Sequence, residues 1–190
     1  MTQYDRPTTF AEHTEDVGMP DLSGATVLLV DDNLQNLELM QAYLEDLPCR
    51  ITTATDGIDA IELIERDQPD LVLLDVMMPR MSGFEVCQKV KSMPPTRDIV
   101  VVMVTALHEV GDFERAVECG TDDFLTKPVN KLELLTRVKS LLRVRLLKRR
   151  LDELLALRRQ AAPDQRASAE AGENLEAEDD EPDAIDAPRE

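Results

Sequence analysis

Five short apolar runs in this chain are unbroken rather than alternating, and that constrains its fold more than anything else in the sequence. They are Thr26-Val27-Leu28-Leu29-Val30, Ile51-Thr52-Thr53-Ala54, Leu71-Val72-Leu73-Leu74, Ile99-Val100-Val101-Val102-Met103-Val104 and the weaker Asp123-Phe124-Leu125-Thr126. A strand with one wet face alternates apolar and polar residues, whereas a continuous apolar strand needs cover on both faces. Between the runs, apolar residues recur at helical spacing: Leu34, Leu37, Met40 and Leu44; Ile58, Ile61, Leu63 and Ile64; Phe84, Val86, Cys87 and Val90; Phe113, Ala116 and Val117. Asp56-Gly57 reads as the turn opening the second helix, and Pro79 and Gly83 punctuate the start of the third. Five strands, each followed by a helix, predict an α/β fold: a doubly wound five-stranded parallel sheet with helices on both faces. A (β/α)8 barrel would need roughly twice the length.

Ligands of open parallel sheets bind at the carboxyl ends of the strands. In this chain those ends carry Asp31 and Asp32 after the first strand, Asp75 at the third, Thr105 at the fourth and Lys127 just past the fifth. If strands one, three, four and five are neighbours, these groups converge on one edge. At ~4 Å and an effective dielectric of ~20, each pair of like charges there costs roughly 4 kcal/mol. A hard cation with oxygen ligands relieves that repulsion, and Mg2+ is the natural candidate. Lys127 is placed to hold an anionic oxygen, and Thr105 to hydrogen-bond it. Such a set can attack phosphorus and stabilise a phosphoryl group. Taken singly, each residue has a structural reading: Asp32 or Asn33 as a cap of the first helix, Thr105 as a cap of the fourth, Lys127 as a surface lysine. Four strand ends carrying complementary chemistry make the joint functional reading the stronger one.

Composition narrows the function classes. The formal net charge is −18, which argues against general nucleic-acid binding. Three widely spaced cysteines, Cys49, Cys87 and Cys119, suit reduced thiols rather than a disulfide framework, and His13 and His108 are too few for a histidine metal site. No apolar run is long enough to span a membrane, and the polar stretch Met1 to Ser23 is unlike a signal peptide, so a cytoplasmic location is expected. Charge is uneven along the chain. Residues 131–160 hold ten basic and three acidic side chains, whereas residues 161–190 hold two basic and eleven acidic. The last block has only Leu175 and Ile185 as large aliphatics and is expected to be disordered. The expected organisation is a flexible arm over 1–24, a compact domain over 25–142, a helical extension over 143–160 and an acidic tail over 161–190.

The last helix is expected from Lys131 to about Gln160, a stretch without Gly or Pro. Leu132, Leu135, Val138 and Leu142 are spaced to pack on the sheet. Val144, Leu147, Leu151 and Leu154 follow 3-4-3 spacing and predict a short coiled coil with a second copy of the chain. Arg143, Arg145, Lys148, Arg149 and Arg150 make this helix basic, and the acidic residues 164–190 are a nearby partner for it.

The strings Val27-Leu28-Leu29-Val30-Asp31-Asp32, Leu71-Val72-Leu73-Leu74-Asp75-Val76-Met77-Met78-Pro79, Met81-Ser82-Gly83, Val104-Thr105-Ala106 and Thr126-Lys127-Pro128 stand in the order and spacing of one known family. From about Thr26 to Leu142 the chain resembles the receiver domain of bacterial two-component response regulators, which have a flavodoxin-like, CheY-like fold. The resemblance implies that Asp75 is the phosphoacceptor for a histidine kinase or phosphotransfer protein. It implies that Asp32 binds Mg2+ directly, Asp31 mainly through water, and that the backbone carbonyl of Met77 completes the protein's share of the shell. Lys127 and Thr105 would contact the phosphoryl group. Phe124 stands where the family carries a rotameric aromatic, often Tyr, so only a steric switch is expected. A cis Lys127–Pro128 bond is also implied. Met77 and Leu107, two residues after Asp75 and Thr105, are apolar at positions that control water access, which predicts slow self-dephosphorylation. The family places its readout on the fourth helix, fifth strand and fifth helix.

The resulting expectation is a single-domain response regulator that signals by conformational change and protein contact. It is a phosphoacceptor rather than an enzyme in the ordinary sense, homodimeric through the last helix, and free of membrane and direct nucleic-acid contacts. One alternative is the receiver of a shortened effector, acting mainly in dimerisation or phosphorelay. Another is a Mg2+-dependent phosphohydrolase, whose usual second Asp is replaced here by Met77. A flavodoxin-like cofactor binder would want a Ser/Thr/Gly-rich phosphate loop, where this chain has Asp31-Asp32-Asn33.

Overall fold

A computed structural model describes residues 21–106, 115 and 117–161. The strands are β1 (Thr26–Val30), β2 (Arg50–Ala54), β3 (Leu71–Asp75), β4 (Val100–Thr105) and β5 (Asp123–Thr126), and the helices α1 (Leu34–Leu44), α2 (Gly57–Asp67), α3 (Gly83–Ser92) and α4 (Lys131–Ala161). All strand pairs are parallel, in the order β2-β1-β3-β4-β5. The expected doubly wound sheet is therefore present, with strands one, three, four and five adjacent. Of the helix expected around Phe113, Ala116 and Val117, Arg115, Val117 and Glu118 are helical, whereas Phe113, Ala116, Leu107 and His108 lie outside the described residues. So do His13, most of the expected arm and residues 162–190 of the acidic tail. At the end of the arm, Leu22–Gly24 form one 3-10 turn capped by Asp21, and Leu22 joins the core.

Unbroken apolar strands are used on both faces. Leu28, Val30, Val72, Leu74, Val101 and Met103 point into one core layer with residues of α2 and α3. Val27, Leu29, Leu71, Leu73, Val102 and Val104 point into the other, with residues of α1 and α4. Each fully buried aliphatic side chain contributes roughly 1.5–3 kcal/mol relative to exposure. The helices start where local chemistry dictates. Asn33 accepts from the Gln35 N–H at 2.9 Å, and Asp56 accepts from the N–H groups of Ile58 and Asp59 at 2.8 and 3.1 Å. Ser82 and Glu85 cap each other's backbone at the start of α3.

Four expected core positions are corrected. Leu34 and Ile58, in the first turns of α1 and α2, and Val117, before β5, are exposed. On α4 the row facing the sheet is Leu134, Val138, Leu142 and Leu146, while Leu132 is 75% exposed. At 100° per residue, Leu132 lies nearly opposite Leu134. The start of the helix, where Asn130 accepts from the Glu133 and Leu134 N–H groups, sets that rotation. The chain divides into two units between Arg149 and Arg150. Val144, Leu147, Leu151 and Leu154, the expected coiled-coil seam, are all exposed, as are Leu155 and Leu157. Cys49, Cys87 and Cys119 are free thiols. Among the described residues, no helix is long and apolar enough to cross a membrane.

Candidate functional site

The adjacency of β1, β3, β4 and β5 brings the expected residues to one edge of the sheet. Asp31 follows β1 and is fully buried; Asp32, next in the chain, is exposed; Asp75 closes β3 and is 4% exposed. Carboxylate oxygens of these three lie within 4.8 Å of one another. Thr105 closes β4 and is buried. Lys127 follows β5, and its ammonium donates to Asp31 Oδ2 at 2.9 Å and to Asp75 Oδ1 at 2.8 Å. The following peptide bond, Lys127–Pro128, is cis, as the resemblance implies. Phe124 is half-buried on β5 and packs against the core layer of α2 and α3.

Electrostatics at the two carboxylates differ. Asp31 Oδ1 accepts from the Asn33 backbone N–H at 2.9 Å, and the Asn36 amide donates to both Asp31 oxygens at 2.9 and 3.0 Å. With Lys127 added, Asp31 is thoroughly hydrogen-bonded. Burial pushes the Asp75 carboxyl up from the ordinary carboxylate range. Its hydrogen bond and ion pair with Lys127 oppose this, and the charges of Asp31 and Asp32 reinforce it. Burial of Lys127 works against its charge, yet hydrogen bonds to Asp75 and Asp31 outweigh it and hold the ammonium above its usual range. The site is thus a buried acid kept short of full compensation, beside a lysine firmly in its charged form. The donor set consists of hard carboxylate oxygens at close quarters, which fits a small divalent cation of the Mg2+ type.

Several contributors escaped sequence reasoning. Asn36 is a helix residue with no motif around it; only its place in the first turn of α1, five residues after Asp31, could have pointed to it. Gly83 appeared as punctuation, but a Cβ there would lie 2.3 Å from the carbonyl oxygen of Asp75, so α3 can start against β3 only with glycine. A Cβ on Gly57 would lie 2.8 Å from the Met81 carbonyl oxygen in the loop leading to α3. Within that loop Arg80 has a left-handed backbone (φ 69°) and pairs with Asp56, the cap of α2. The Met77 side chain is 74% exposed beside the acids. A cavity of about 200 Å3 opens beside the site, lined by Asp31, Asn36, Leu39, Tyr43, Lys127 and Pro128 among others.

Comparison with known proteins agrees with this fold. Residues 27–139 match the family model described as the response regulator receiver domain. The response regulator PleD of Caulobacter vibrioides is 47% identical over 130 residues, which cover 68% of this chain and 28% of that protein. The DNA-binding dual master transcriptional regulator RpaA of Synechocystis is 40% identical over 117 residues, covering 62% of this chain and 48% of that protein. The crystallised signal receiver domain of a LuxO repressor protein from Vibrio parahaemolyticus superposes with a TM-score of 0.61 at 34% identity, covering 67% of this chain and 96% of that one. The chain therefore spans between about a quarter and a half of the length of these two curated relatives. Since the family model covers more than half of the residues, from the first strand into the last helix, this protein belongs to the response regulator receiver domains of two-component systems.

Proposed function

We propose that Asp75 accepts a phosphoryl group from a phosphohistidine of a histidine kinase or phosphotransfer protein. The observation that carries this reading is the Lys127 ammonium, 2.8 Å from Asp75 and 2.9 Å from Asp31, within a cluster of three aspartates at the carboxyl edge of the sheet. An Asp75 carboxylate oxygen attacks phosphorus; the P–N bond to the donor imidazole breaks, and its electron pair returns to the ring nitrogen. Asp31, Asp32, Asp75 and the Met77 carbonyl are the groups that would hold Mg2+. Bound there, the ion would neutralise charge on the carboxylates and on the phosphoryl oxygens. Lys127 is already held in its charged form at Asp75 and stabilises the oxygens that arrive. Asn36 and the Asn33 N–H hold the Asp31 carboxylate in place while Asp75 reacts. Thr105, at the end of the neighbouring strand, supplies a hydroxyl to the same anion, and Phe124 moves sterically in response.

Switching a two-state equilibrium from 1:99 to 99:1 takes about 5.5 kcal/mol, which a few charge-assisted hydrogen bonds at roughly 1.5–3 kcal/mol each can supply. The readout lies on β5, the helical residues around Val117 and α4. A second copy of the chain is the expected partner along Val144, Leu147, Leu151 and Leu154, and a cytoplasmic setting suits a phosphohistidine donor. Because the matched region is only part of the curated relatives, the second reading is a receiver that serves a longer effector in dimerisation or phosphorelay.

The decisive experiment is incubation with Mg2+ and a small phosphodonor, read by intact mass. One phosphoryl group should be gained, and none by Asp75→Ala or without the metal. No gain, or gain unaffected by Asp75→Ala, overturns the assignment. Continuous turnover of the donor without a persistent adduct would favour a phosphohydrolase. For the seam, sedimentation of the intact chain should show a dimer that Leu151→Glu with Leu154→Glu dissociates.

A further inference from the structure

A second buried carboxylate stands at the opposite end of β3, and the phosphoacceptor chemistry does not use it. Asp70, immediately before the strand, is 2% exposed. Its Oδ2 accepts from the Thr26 backbone N–H at 3.0 Å, which ties β3 to β1. Its Oδ1 accepts from Arg149 Nη1 at 2.7 Å, an arginine of α4. Arg145, one turn earlier on the same helix, places its Nε 4.0 Å from that same oxygen. This Nε is buried and makes no hydrogen bond among the described residues. Between the two arginines, Leu146 is buried in the core and keeps this part of the helix against the domain. On the outer side, Lys148 donates to Asp98 at 2.6 Å, between two solvent-exposed side chains.

One buried carboxylate thus faces two guanidinium groups and hydrogen-bonds only one of them. The two are unequal in exposure: the Arg149 side chain is 44% exposed and that of Arg145 only 16%. Removing the sole cation from a buried carboxylate leaves an uncompensated charge and is strongly destabilising. A helix held by Arg149 alone would therefore leave the domain only at that penalty. With Arg145 in place the penalty is avoided, because closing a 4.0 Å gap to hydrogen-bond distance needs only an adjustment of the arginine side chain. Leu146 need not move.

We propose that Asp70 is an exchangeable anchor for the last helix. Arg149 holds it in the arrangement described here, and Arg145 takes it over when the turn at Lys148–Arg149 leaves the domain. The turn then detaches without exposing or stranding the buried charge. The outer Lys148–Asp98 pair is the part that opens readily, since exposed ion pairs are weak and screened by salt. The device sets how tightly the domain grips its last helix just where the chain passes into its second unit. It does not depend on which group Asp75 carries.

The test is a double-mutant cycle on the full chain: wild type, Arg145→Ala, Arg149→Ala and both together, read by amide hydrogen exchange and thermal unfolding. Arg149→Ala should speed exchange at residues 148–150 by about tenfold while the start of β3, residues 70–73, stays protected. Arg145→Ala should leave both segments protected, because Arg149 still holds Asp70. The double variant should deprotect residues 70–73 as well and lower the unfolding temperature by clearly more than the sum of the single effects. Arg145→Lys in the Arg149→Ala background should restore most of that protection, which keeps the test informative if the double variant folds poorly. Strict additivity would overturn the proposal. So would deprotection of β3 by Arg149→Ala alone, or unchanged exchange at 148–150 in that variant.

Discussion

The two ends of β3 pose the same physical problem and solve it differently. Asp70 at the amino end and Asp75 at the carboxyl end are both almost fully buried. Asp70 receives a backbone N–H and an arginine and has a second arginine in reserve, so its charge is amply met. Asp75 receives one lysine, which it shares with Asp31, and it sits within 4.8 Å of two other carboxylates. A buried acid with enough donors locks a structure together. One left short of donors, among like charges, is prepared to gain a cation and an electrophile. Burial alone therefore does not single out Asp75, the proposed phosphoacceptor; the balance of its partners does.

That contrast predicts opposite responses to mutation. The largest effect is expected at the amino end: Asp70→Ala should destabilise the fold by about 3 kcal/mol in urea titrations, since it removes the partner of the Thr26 N–H and of Arg149 and leaves the largely buried Arg145 without its counter-charge. A neutral outcome would mean that Asp70 is not the structural anchor of the pair. Next, Lys127→Met should cost about 2 kcal/mol at neutral pH, the scale of lost charge-assisted hydrogen bonds. Millimolar Mg2+ should then raise the unfolding temperature of this variant more than that of the wild type; equal shifts would separate the metal from the acid cluster.

A smaller effect of opposite sign is expected for Asp75→Asn. The Asp75 carboxyl titrates above its unfolded value, so the folded state binds more protons than the unfolded chain. Stability falls as pH rises from about 4, the ordinary Asp value, through the folded pKa. The Asn variant escapes this loss. It should melt a few degrees higher than the wild type at neutral pH, and the advantage should vanish below about pH 4. An advantage that persists in acid would show that packing, not charge, is responsible. The finest probe is Met77→Asn, which should shorten the phosphoryl half-life severalfold by admitting water beside Asp75. An unchanged or longer half-life would remove Met77 from control of the hydrolysis step.

Much of the site was legible because strands are local. An acid written directly after an apolar run, such as Asp31, Asp32 or Asp75, emerges at the strand's carboxyl end whatever the helices do. The order β2-β1-β3-β4-β5 was not legible in this way: helical crossovers allow several orders, and only the structure makes strands one, three, four and five neighbours. What stayed hidden depended on rotation or on distance along the chain. Leu132 and Leu134 are equally apolar, and only the start of α4 decides which one meets the sheet. Asn36 looks like any polar residue of an exposed helix until α1 lays it over Asp31. Nothing near Asp70 in sequence announces Arg149, seventy-nine residues later.

By itself, then, the sequence determined the layered α/β architecture, the acids and the lysine at the strand ends, and the length of the last helix. These follow from hydrophobic period and residue order, which act between neighbours in the chain. Only the tertiary structure decided which carboxylates are compensated, which face of α4 is buried, and where Gly83 must yield its side chain to Asp75. Those properties depend on the approach of groups far apart in sequence, where a few ångströms change both packing and charge.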